Sequence, residues 1–147
     1  MQPIPHKTTL DLYRAYYNIE LSPQSSAKTA VASPWGVFVF KRLSMGLKNA
    51  AASFQRLVST ILDGLPGVFT YLDDILLYHK DETTHKDVMK QVFARLQSNG
   101  LALNLKKCRF GLPEVDYLGY RVNGSGITPL PRKLEAIADY PTPTKPK

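Results

Sequence analysis

Two apolar runs flank a pair of adjacent aspartates near the middle of the chain. The runs cover residues 68–72 and 75–78 and are rich in β-branched, aromatic and leucine side chains, which is typical of buried strands. Asp73 and Asp74 lie between them and are predicted to form the turn of a hairpin. Neighbouring side chains alternate in a straight strand, but at a tight turn two successive carboxylates can lean toward one point.

Alternating apolar and polar positions predict further strands on both sides of this hairpin. They cover residues 8–12, 18–21, 28–32, 37–43, 101–105 and 115–122. The strands at 28–32 and 37–43 are predicted to pair through a turn around Trp35, after a loop at 22–26. The strand at 115–122 is predicted to turn at residues 123–126.

Three stretches have the spacing of apolar residues that is typical of helices. The clearest follows Asn49, a suitable N-cap, and ends at Gly64 and Pro66. Its apolar face is formed by Phe54, Leu57, Val58, Ile61 and Leu62. A second helix is predicted from near Thr83 to Asn99, with a buried side formed by Val88, Met89, Val92, Phe93 and Leu96. A short third helical pattern covers residues 133–137.

The order of these elements predicts an α+β fold, with helices on one face of an antiparallel sheet. At 147 residues, the chain fits a single domain that can bury a core. We assign this domain to residues 8–139. It lies between a loose N-terminal segment at 1–7 and a proline-rich, linker-like tail at 140–147.

Composition narrows the class of protein. Hydrophobic residues make up 44% of the chain and charged residues 21%, which is typical of a soluble globular protein. No stretch has the apolar length of a signal peptide or a membrane span, so an intracellular protein is expected. Cys108 is the only cysteine, which excludes an internal disulfide and a cysteine-based zinc site.

A formal net charge of +7 favours a polyanionic partner, with nucleic acid first and an anionic membrane surface second. Lys106, Lys107 and Arg109 form a basic stretch that is suited to contacts with phosphate. The alternative for these three side chains is a solvated face, which is common for short runs of charge.

Clustered carboxylates are the candidate chemistry. Asp73 and Asp74, held close together, disfavour each other's ionisation unless a cation joins them, and hard oxygen ligands suit magnesium. Asp11 lies between Leu10 and Leu12 in a predicted apolar strand. Two alternatives stay open at this point. The pair can form a solvated turn, and strand alternation can turn Asp11 to solvent.

Five motifs occur in an order that resembles one enzyme family. They are Thr9-Leu10-Asp11-Leu12 with Ala15-Tyr16-Tyr17, Gly46-Leu47-Lys48-Asn49-Ala50 with Ser53-Phe54-Gln55-Arg56, Tyr71-Leu72-Asp73-Asp74-Ile75, Asn104-Leu105-Lys106-Lys107-Cys108 with Phe110-Gly111, and Tyr117-Leu118-Gly119-Tyr120. Together they resemble the reverse transcriptases of long-terminal-repeat retrotransposons, and the gypsy class is the most similar. The resemblance extends from about residue 8 to about residue 141.

The resemblance implies an RNA-directed DNA polymerase with a polymerase palm. Asp11, Asp73 and Asp74 match the family's three catalytic aspartates, which hold two Mg²⁺ ions, with Mn²⁺ as an alternative metal. The implied reaction is nucleotidyl transfer to a primer 3′-hydroxyl. The implied partners are an RNA or DNA template with its primer, deoxynucleoside triphosphates and other parts of a retroelement polyprotein, without a membrane. The implied location is the cytoplasm, in a virus-like particle, or the nucleus.

The resemblance also implies binding residues around the aspartates. The implied nucleotide contacts are Leu12, Tyr16, Phe54 and Gln55, with Tyr16 as a bulky gate against a 2′-hydroxyl. The implied nucleic-acid contacts are Tyr71, Lys106, Lys107 and a primer-gripping turn of Leu118, Gly119 and Tyr120. The alternatives are a core position for Tyr16, a packing role for Phe54 and an ordinary strand at Gly119.

The chain also departs from the family pattern. Ser44-Met45 precedes Gly46-Leu47 where the family usually has Pro-Phe, and Ala51 stands where the family usually has proline. Only a short segment precedes Asp11, so most of the fingers, the thumb and the RNase H domain are expected to lie outside this chain. We therefore expect a palm with the second finger hairpin, incomplete as a polymerase. The alternative is a non-catalytic nucleic-acid-binding or scaffold remnant of a retroelement.

Overall fold

The computed structural model describes residues 6–140, without the side chains of residues 136–138. The strands in this range are β1 (His6–Asp11), β2 (Val31–Ser33), β3 (Gly36–Phe38), β4 (Val68–Tyr71), β5 (Asp74–His79), β6 (Arg109–Leu112), β7 (Val115–Tyr117), β8 (Tyr120–Asn123) and β9 (Gly126–Pro129). The helices are α1 (Pro23–Ala27), α2 (Ala50–Leu62), α3 (Glu82–Ser98) and α4 (Pro131–Ala138), and a short 3₁₀ helix covers Ala15–Asn18.

The main sheet has four strands in the order β4-β5-β1-β6, and every neighbouring pair is antiparallel. β5 and β1 are its central strands. They pair along their whole length, from His6 opposite His79 to Asp11 opposite Asp74. β4 and β5 form the predicted hairpin, which closes where Tyr71 opposes Asp74.

α2 and α3 pack on one face of this sheet, which confirms the predicted α+β arrangement. The shared core contains Leu10, Phe54, Val58, Ile75, Leu77, Val88, Val92 and Leu96. Phe54 and Val58 are fully buried, so the apolar face predicted for α2 is confirmed. Ile75 and Leu77 reach the same core because alternate residues of a strand share one face.

A second, three-stranded sheet packs on the opposite side of β5. Leu76 points away from the helices, and it forms a separate apolar cluster with Val115 and Val122. β7, β8 and β9 form this sheet as two consecutive antiparallel hairpins. The main sheet is therefore covered by helices on one face and, next to Leu76, by strands on the other.

Some predicted strands have the wrong extent. The strand expected at 115–122 is split, because Leu118 and Gly119, with φ of 50° and 78°, form a tight turn between β7 and β8. Two positive φ values are typical of the type I′ turn that joins antiparallel strands. The strands expected at 101–105 and 18–21 are each reduced to an isolated bridge. β6 begins instead at Arg109, at the end of the basic stretch, where no strand was predicted.

The region before α2 carries the predicted hairpin around Trp35. β2 and β3 pair antiparallel as expected, but both strands are shorter than predicted. Residues 22–26, predicted as a loop, lie largely in α1. The reason is local: the hydroxyl oxygen of Ser22 accepts a capping hydrogen bond from the Ser25 N–H, and Pro23 is favourable at the first helical position.

The N-terminal boundary differs from the prediction. β1 begins at His6, so His6 and Lys7 belong to the main sheet and not to the loose segment predicted at 1–7. Residues 1–5 and 141–147 lie outside the described residues, so the rest of that segment and most of the linker-like tail stay predictions. In the described part of the chain, no helix is long and apolar enough to cross a membrane.

Candidate active site

Asp11 and Asp74 face each other across the two central strands. Asp11 is the last residue of β1, Asp74 is the first residue of β5, and they are direct partners in the antiparallel register. Directly opposed side chains emerge on the same side of a sheet, with Cβ atoms about 4.5–5.5 Å apart. Both residues line a cavity of about 460 Å³, together with Lys107 and Leu118. Strand pairing thus brings together two carboxylates that are distant in the sequence.

Asp73 lies in the turn of the hairpin, whereas Asp74 does not. The turn consists of Leu72 and Asp73, because Tyr71 and Asp74 form the last pair of the ladder. The prediction placed both aspartates in the turn, so it is correct for Asp73 only. Leu72 has φ of 52°, in the left-handed region. This conformation costs on the order of 1–3 kcal/mol for a residue with a Cβ. Asp73 therefore directly follows a strained residue.

Gln55 of α2 holds this turn in place. Its Oε1 accepts a hydrogen bond from the Leu72 N–H at 2.6 Å, and its Nε2 donates to the backbone oxygen and the hydroxyl of Thr70, both at 3.2 Å. Its Nε2 also donates to the hydroxyl of Ser59, within α2, at 3.0 Å. One side chain therefore links the helix to the strained hairpin. The predicted contact between Gln55 and a nucleotide stays a prediction.

Negative charge concentrates around Asp74. Partial desolvation raises the pKa of Asp74 above its ordinary value, the charges of Asp73 and Asp11 raise it further, and Lys107 lowers it. The Nζ of Lys107 lies 3.3 Å from Oδ2 of Asp11, whose side chain is 16% exposed. Since the neighbouring carboxylates disfavour the ionisation of Asp74, a cation that joins them would be bound favourably.

The donor chemistry of this cluster fits a hard divalent cation, because carboxylate oxygens are the ligands that Mg²⁺ prefers. Asp11, Asp73 and Asp74 are close enough for both other carboxylates to affect the pKa of Asp74. Within residues 6–140, no three acidic, histidine or cysteine side chains are already arranged as a complete metal site. Asp11 and Asp74 share the cavity, whereas Asp73 is not among its lining residues.

The residues predicted to contact a nucleotide are packed to different extents. Phe54 is fully buried, and its ring packs on that of Tyr16 with centroids 5.3 Å apart. Tyr16 is only partly buried, in the 3₁₀ helix that follows β1. Leu12 is buried in the core, and its N–H donates to the backbone oxygen of Asp73 at 3.0 Å. A packing role for Phe54 is thus observed, and the nucleotide contacts stay predictions.

The side chains predicted to contact nucleic acid are exposed, and they lie on three separate elements. Tyr71 ends β4, directly before the strained turn, and Lys106 and Lys107 precede β6. The turn of Leu118, Gly119 and Tyr120 joins β7 to β8. Of this set, only Lys107 and Leu118 line the cavity that contains Asp11 and Asp74.

Comparison with known proteins decides the family. The family model described as reverse transcriptase (RNA-dependent DNA polymerase) matches residues 3–122. The chain belongs to the reverse transcriptase family.

Curated relatives of this reverse transcriptase domain are transposon polyproteins. The chain is 39% identical over 142 residues to the retrovirus-related Pol polyprotein from transposon 297 of Drosophila melanogaster. The aligned region covers 95% of this chain and 13% of the relative. It is 33% identical over 138 residues to the transposon Tf2-3 polyprotein of Schizosaccharomyces pombe. Here the aligned region covers 92% of this chain and 10% of the relative. The chain therefore spans only a small part of the length of these relatives.

Solved reverse transcriptase structures share this fold. The foamy viral protease-reverse transcriptase in complex with an RNA/DNA hybrid matches with a TM-score of 0.82 at 27% identity, over 94% of this chain and 19% of that one. A foamy viral protease-reverse transcriptase in complex with double-stranded DNA matches with a TM-score of 0.84 at 27% identity, over 94% of this chain and 24% of that one. The predicted palm-like architecture is thereby confirmed.

Two supporting contacts of this reverse transcriptase domain were not predicted. Gln55 was identified as a nucleotide contact and not as the support of Leu72. Lys133 was not singled out, yet its ammonium contacts the turn at Leu118 and Tyr120. Neither contact has a periodic signal, because each joins polar groups on separate elements. The local pattern predicted a strand through Leu118 and Gly119, and only the resemblance implied a turn there, which the structure confirms.

Proposed function

We propose that this chain is the palm, with part of the fingers, of an RNA-directed DNA polymerase from a long-terminal-repeat retroelement of the gypsy class. The observation that carries the proposal is the direct pairing of Asp11 with Asp74, next to Asp73, in a sheet that matches reverse transcriptases. The transposon polyproteins among its relatives support the retroelement origin. The reaction is nucleotidyl transfer from a deoxynucleoside triphosphate to a primer 3′-hydroxyl.

Asp11, Asp73 and Asp74 would hold two Mg²⁺ ions, or Mn²⁺, in this proposal. When bound, the metal ions neutralise charge that develops on the transferring phosphate and on the attacking and leaving oxygens. The chain's own contribution is positioning. Asp11 ends a strand that is paired on both sides, and Gln55 ties the turn that carries Asp73 to α2. Lys107 supplies a positive charge beside Asp11.

The binding residues follow from the same proposal. Tyr16 borders the sugar of the incoming nucleotide and excludes a 2′-hydroxyl by its bulk, with Leu12, Phe54 and Gln55 around it. Template and primer are contacted by Tyr71, Lys106, Lys107, Leu118, Gly119 and Tyr120. The net charge of +7 supports a polyanionic partner. So do the RNA/DNA hybrid and double-stranded DNA bound in the matched foamy viral structures.

Other parts of a retroelement polyprotein complete the polymerase in this proposal, since the chain covers only 13% of the transposon 297 polyprotein. We place the activity inside the cell, in a cytoplasmic virus-like particle or in the nucleus.

Primer extension tests the proposal. The chain is compared with the same chain joined to the flanking fingers and thumb segments of a related polyprotein, on an RNA template with a DNA primer. We expect little or no extension by the chain alone and robust extension by the longer protein, which Asp11→Asn abolishes. Absence of extension by both proteins would contradict the enzymatic function.

A non-catalytic nucleic-acid-binding or scaffold remnant is the second candidate, and the net charge of +7 is the observation that favours it. Such a protein binds nucleic acid through phosphate contacts and loses affinity steeply as salt is added. Its binding is indifferent to Mg²⁺ and to Asp11→Asn. The proposed polymerase, in contrast, needs both the metal and the aspartate for extension.

A further inference from the structure

The turn between β7 and β8 is held from outside by a lysine of α4. The Nζ of Lys133 donates a hydrogen bond to the backbone oxygen of Leu118 at 3.1 Å. The same ammonium lies 4.1 Å from the centroid of the Tyr120 ring, within the range of a cation–π contact. Lys133 therefore contacts the residues on both sides of Gly119.

Gly119 itself is in direct contact with the stem of this lysine. A Cβ at Gly119 would overlap Cε of Lys133 and lie 2.9 Å from its Nζ. Gly126, at the next turn of the same sheet, also has a positive φ, but a Cβ there would meet no atom within 4 Å. The absence of a side chain at Gly119 thus makes room for Lys133 as well as allowing the turn's backbone conformation.

Backbone hydrogen bonds reinforce this contact. The Leu130 N–H donates to the Gly119 oxygen at 3.1 Å, and the Lys133 N–H donates to the Leu130 oxygen at 2.9 Å. Both carbonyls of the turn therefore accept from the segment where β9 meets α4. The turn also lies beside the candidate active site, since Leu118 lines the cavity that contains Asp11 and Asp74.

We propose that Lys133 is a positioning residue that holds the Leu118–Tyr120 turn against the aspartate cavity, so that nucleic acid bound at this turn is aligned with the aspartates. The part about nucleic acid rests on the function proposed above. The physical basis is that the Lys133 ammonium donates to the Leu118 carbonyl and lies over the Tyr120 ring. The lysine stem covers Gly119 between them.

Hydrogen exchange tests the contact without nucleic acid. Lys133→Met keeps a stem of similar length but removes the charge and the donors, whereas Lys133→Arg keeps both. Arg132→Met is the matched control, since it removes one charge from the same helix and, among the described residues, Arg132 makes no hydrogen bond or cation–π contact with the turn. We expect the amides of residues 118–121 to exchange at least about fivefold faster in Lys133→Met, because the local opening becomes easier.

In Lys133→Arg, the amides of residues 118–121 should exchange at close to the wild-type rate. In Arg132→Met, their exchange rate should not change. Unchanged exchange in Lys133→Met, or an equal increase in Arg132→Met, would overturn the proposal.

A double-mutant cycle gives a second, independent test. Gly119→Ala should destabilise the chain less in the Lys133→Ala background than in the wild type, because the overlap with the lysine stem is gone. Gly126→Ala should lower the free energy of unfolding by the same amount in both backgrounds, since its Cβ meets open space. Equal costs of Gly119→Ala in the two backgrounds would overturn the contact.

The nucleic-acid part is tested with a fluorescent RNA–DNA primer duplex. Lys133→Met should weaken binding more than Arg132→Met, although both remove one positive charge. If exchange at the turn increases while the two variants bind equally, the alignment of nucleic acid by the turn is refuted and the positioning of the turn stands. Where the chain alone binds too weakly, the comparison is made in the longer protein joined to the flanking segments. If the longer protein with the wild-type sequence does not bind the duplex, the proposed function fails, and the exchange data still decide the role of Lys133.

Discussion

The Nζ of Lys107 lies 3.3 Å from Oδ2 of Asp11, so an exposed ammonium occupies one side of a largely buried carboxylate. The two residues are 96 positions apart in the chain and meet because Asp11 ends β1, next to the segment that leads into β6. A divalent cation that binds Asp11 has to compete with this ion pair or push it aside.

Replacing Lys107 should therefore tighten metal binding. We expect Lys107→Gln to raise the affinity for Mn²⁺ by about two- to fivefold, the range that an exposed ion pair of modest strength allows. Electron paramagnetic resonance of free Mn²⁺ during a titration measures this. Lys106→Gln is the control, because it removes the same charge from an exposed neighbour that has no ion pair with Asp11 in the described structure. Equal effects of the two substitutions would refute the direct competition.

The aspartate pair should determine the affinity for metal. Asp73→Asn combined with Asp74→Asn should weaken Mn²⁺ binding measured by calorimetry, while the fold survives, because the change removes clustered like charge. Asp63→Asn with Asp87→Asn serves as the control, since it removes the same charge from exposed positions on other elements. If both double variants bind Mn²⁺ like the wild type, the metal site lies elsewhere.

Gln55 should stabilise the strained turn. Gln55→Ala leaves the Leu72 N–H without its partner and should lower the free energy of unfolding by about 1–3 kcal/mol, as expected for a lost hydrogen bond to a partly buried donor. Gln91→Ala is the control, because Gln91 makes only a weak local contact on the exposed side of α3. Urea denaturation compares the free energies of unfolding of the two variants. Equal losses would show that the contact with Leu72 contributes little to stability.

Tyr16 should control the choice of sugar. In a polymerase completed by flanking segments, Tyr16→Ala should increase the use of ribonucleotides relative to deoxyribonucleotides, because the space next to the sugar becomes larger. Tyr16→Phe keeps the ring that packs on Phe54 and should keep the selectivity. Tyr17→Ala removes an exposed neighbouring ring and should have no effect. The measurement is the ratio of the two incorporation rates, and an unchanged ratio in Tyr16→Ala would exclude the gate.

A buried hydrogen-bond relay joins the far end of β1 to β5 and α3. The Gly111 N–H donates to the Thr8 hydroxyl at 3.0 Å, and this hydroxyl lies 2.7 Å from Nε2 of His85. The Nδ1 atoms of His85 and His79 are 3.0 Å apart, and Nε2 of His79 lies 2.9 Å from the Pro66 oxygen. Since a carbonyl only accepts, His79 donates from Nε2 and, when neutral, accepts from His85 at Nδ1. The relay is thus complete with both histidines neutral.

Acidification should therefore destabilise the fold. Burial lowers the pKa of His85 below its ordinary value, and the charges of His79 and His6 lower it further. Because the unfolded histidine takes up a proton at higher pH than the folded one, stability present above the unfolded pKa of about 6.5 is lost as pH falls through the folded value.

Urea denaturation between pH of about 7.5 and about 5.5 measures this loss, in a range above the ordinary titration of carboxylates. The pH dependence should be smaller in His85→Gln, which cannot be protonated. An identical pH dependence in the wild type and the variant would rule out His85 as its source.

Local patterns in the sequence determined much of this fold. The spacing of apolar residues predicted α2 with its buried Phe54 and Val58, and the two apolar runs predicted the hairpin of β4 and β5. These predictions succeed because periodicity depends only on near neighbours. The prediction of one continuous strand at 115–122 was wrong for the same reason, because periodicity does not report the backbone conformation of a turn. Its alternation is real, but the backbone conformation of Leu118 and Gly119 ends one strand and begins another.

The sequence by itself also identified the candidate aspartates, because carboxylates next to apolar runs are conspicuous in a single chain. Only the tertiary structure decided which groups meet. The pairing of Asp11 with Asp74 follows from the register of β1 against β5, and the contact of Lys107 with Asp11 follows from the chain path into β6. Register and strand order result from the packing of the whole core, so no local pattern encodes these contacts between polar side chains.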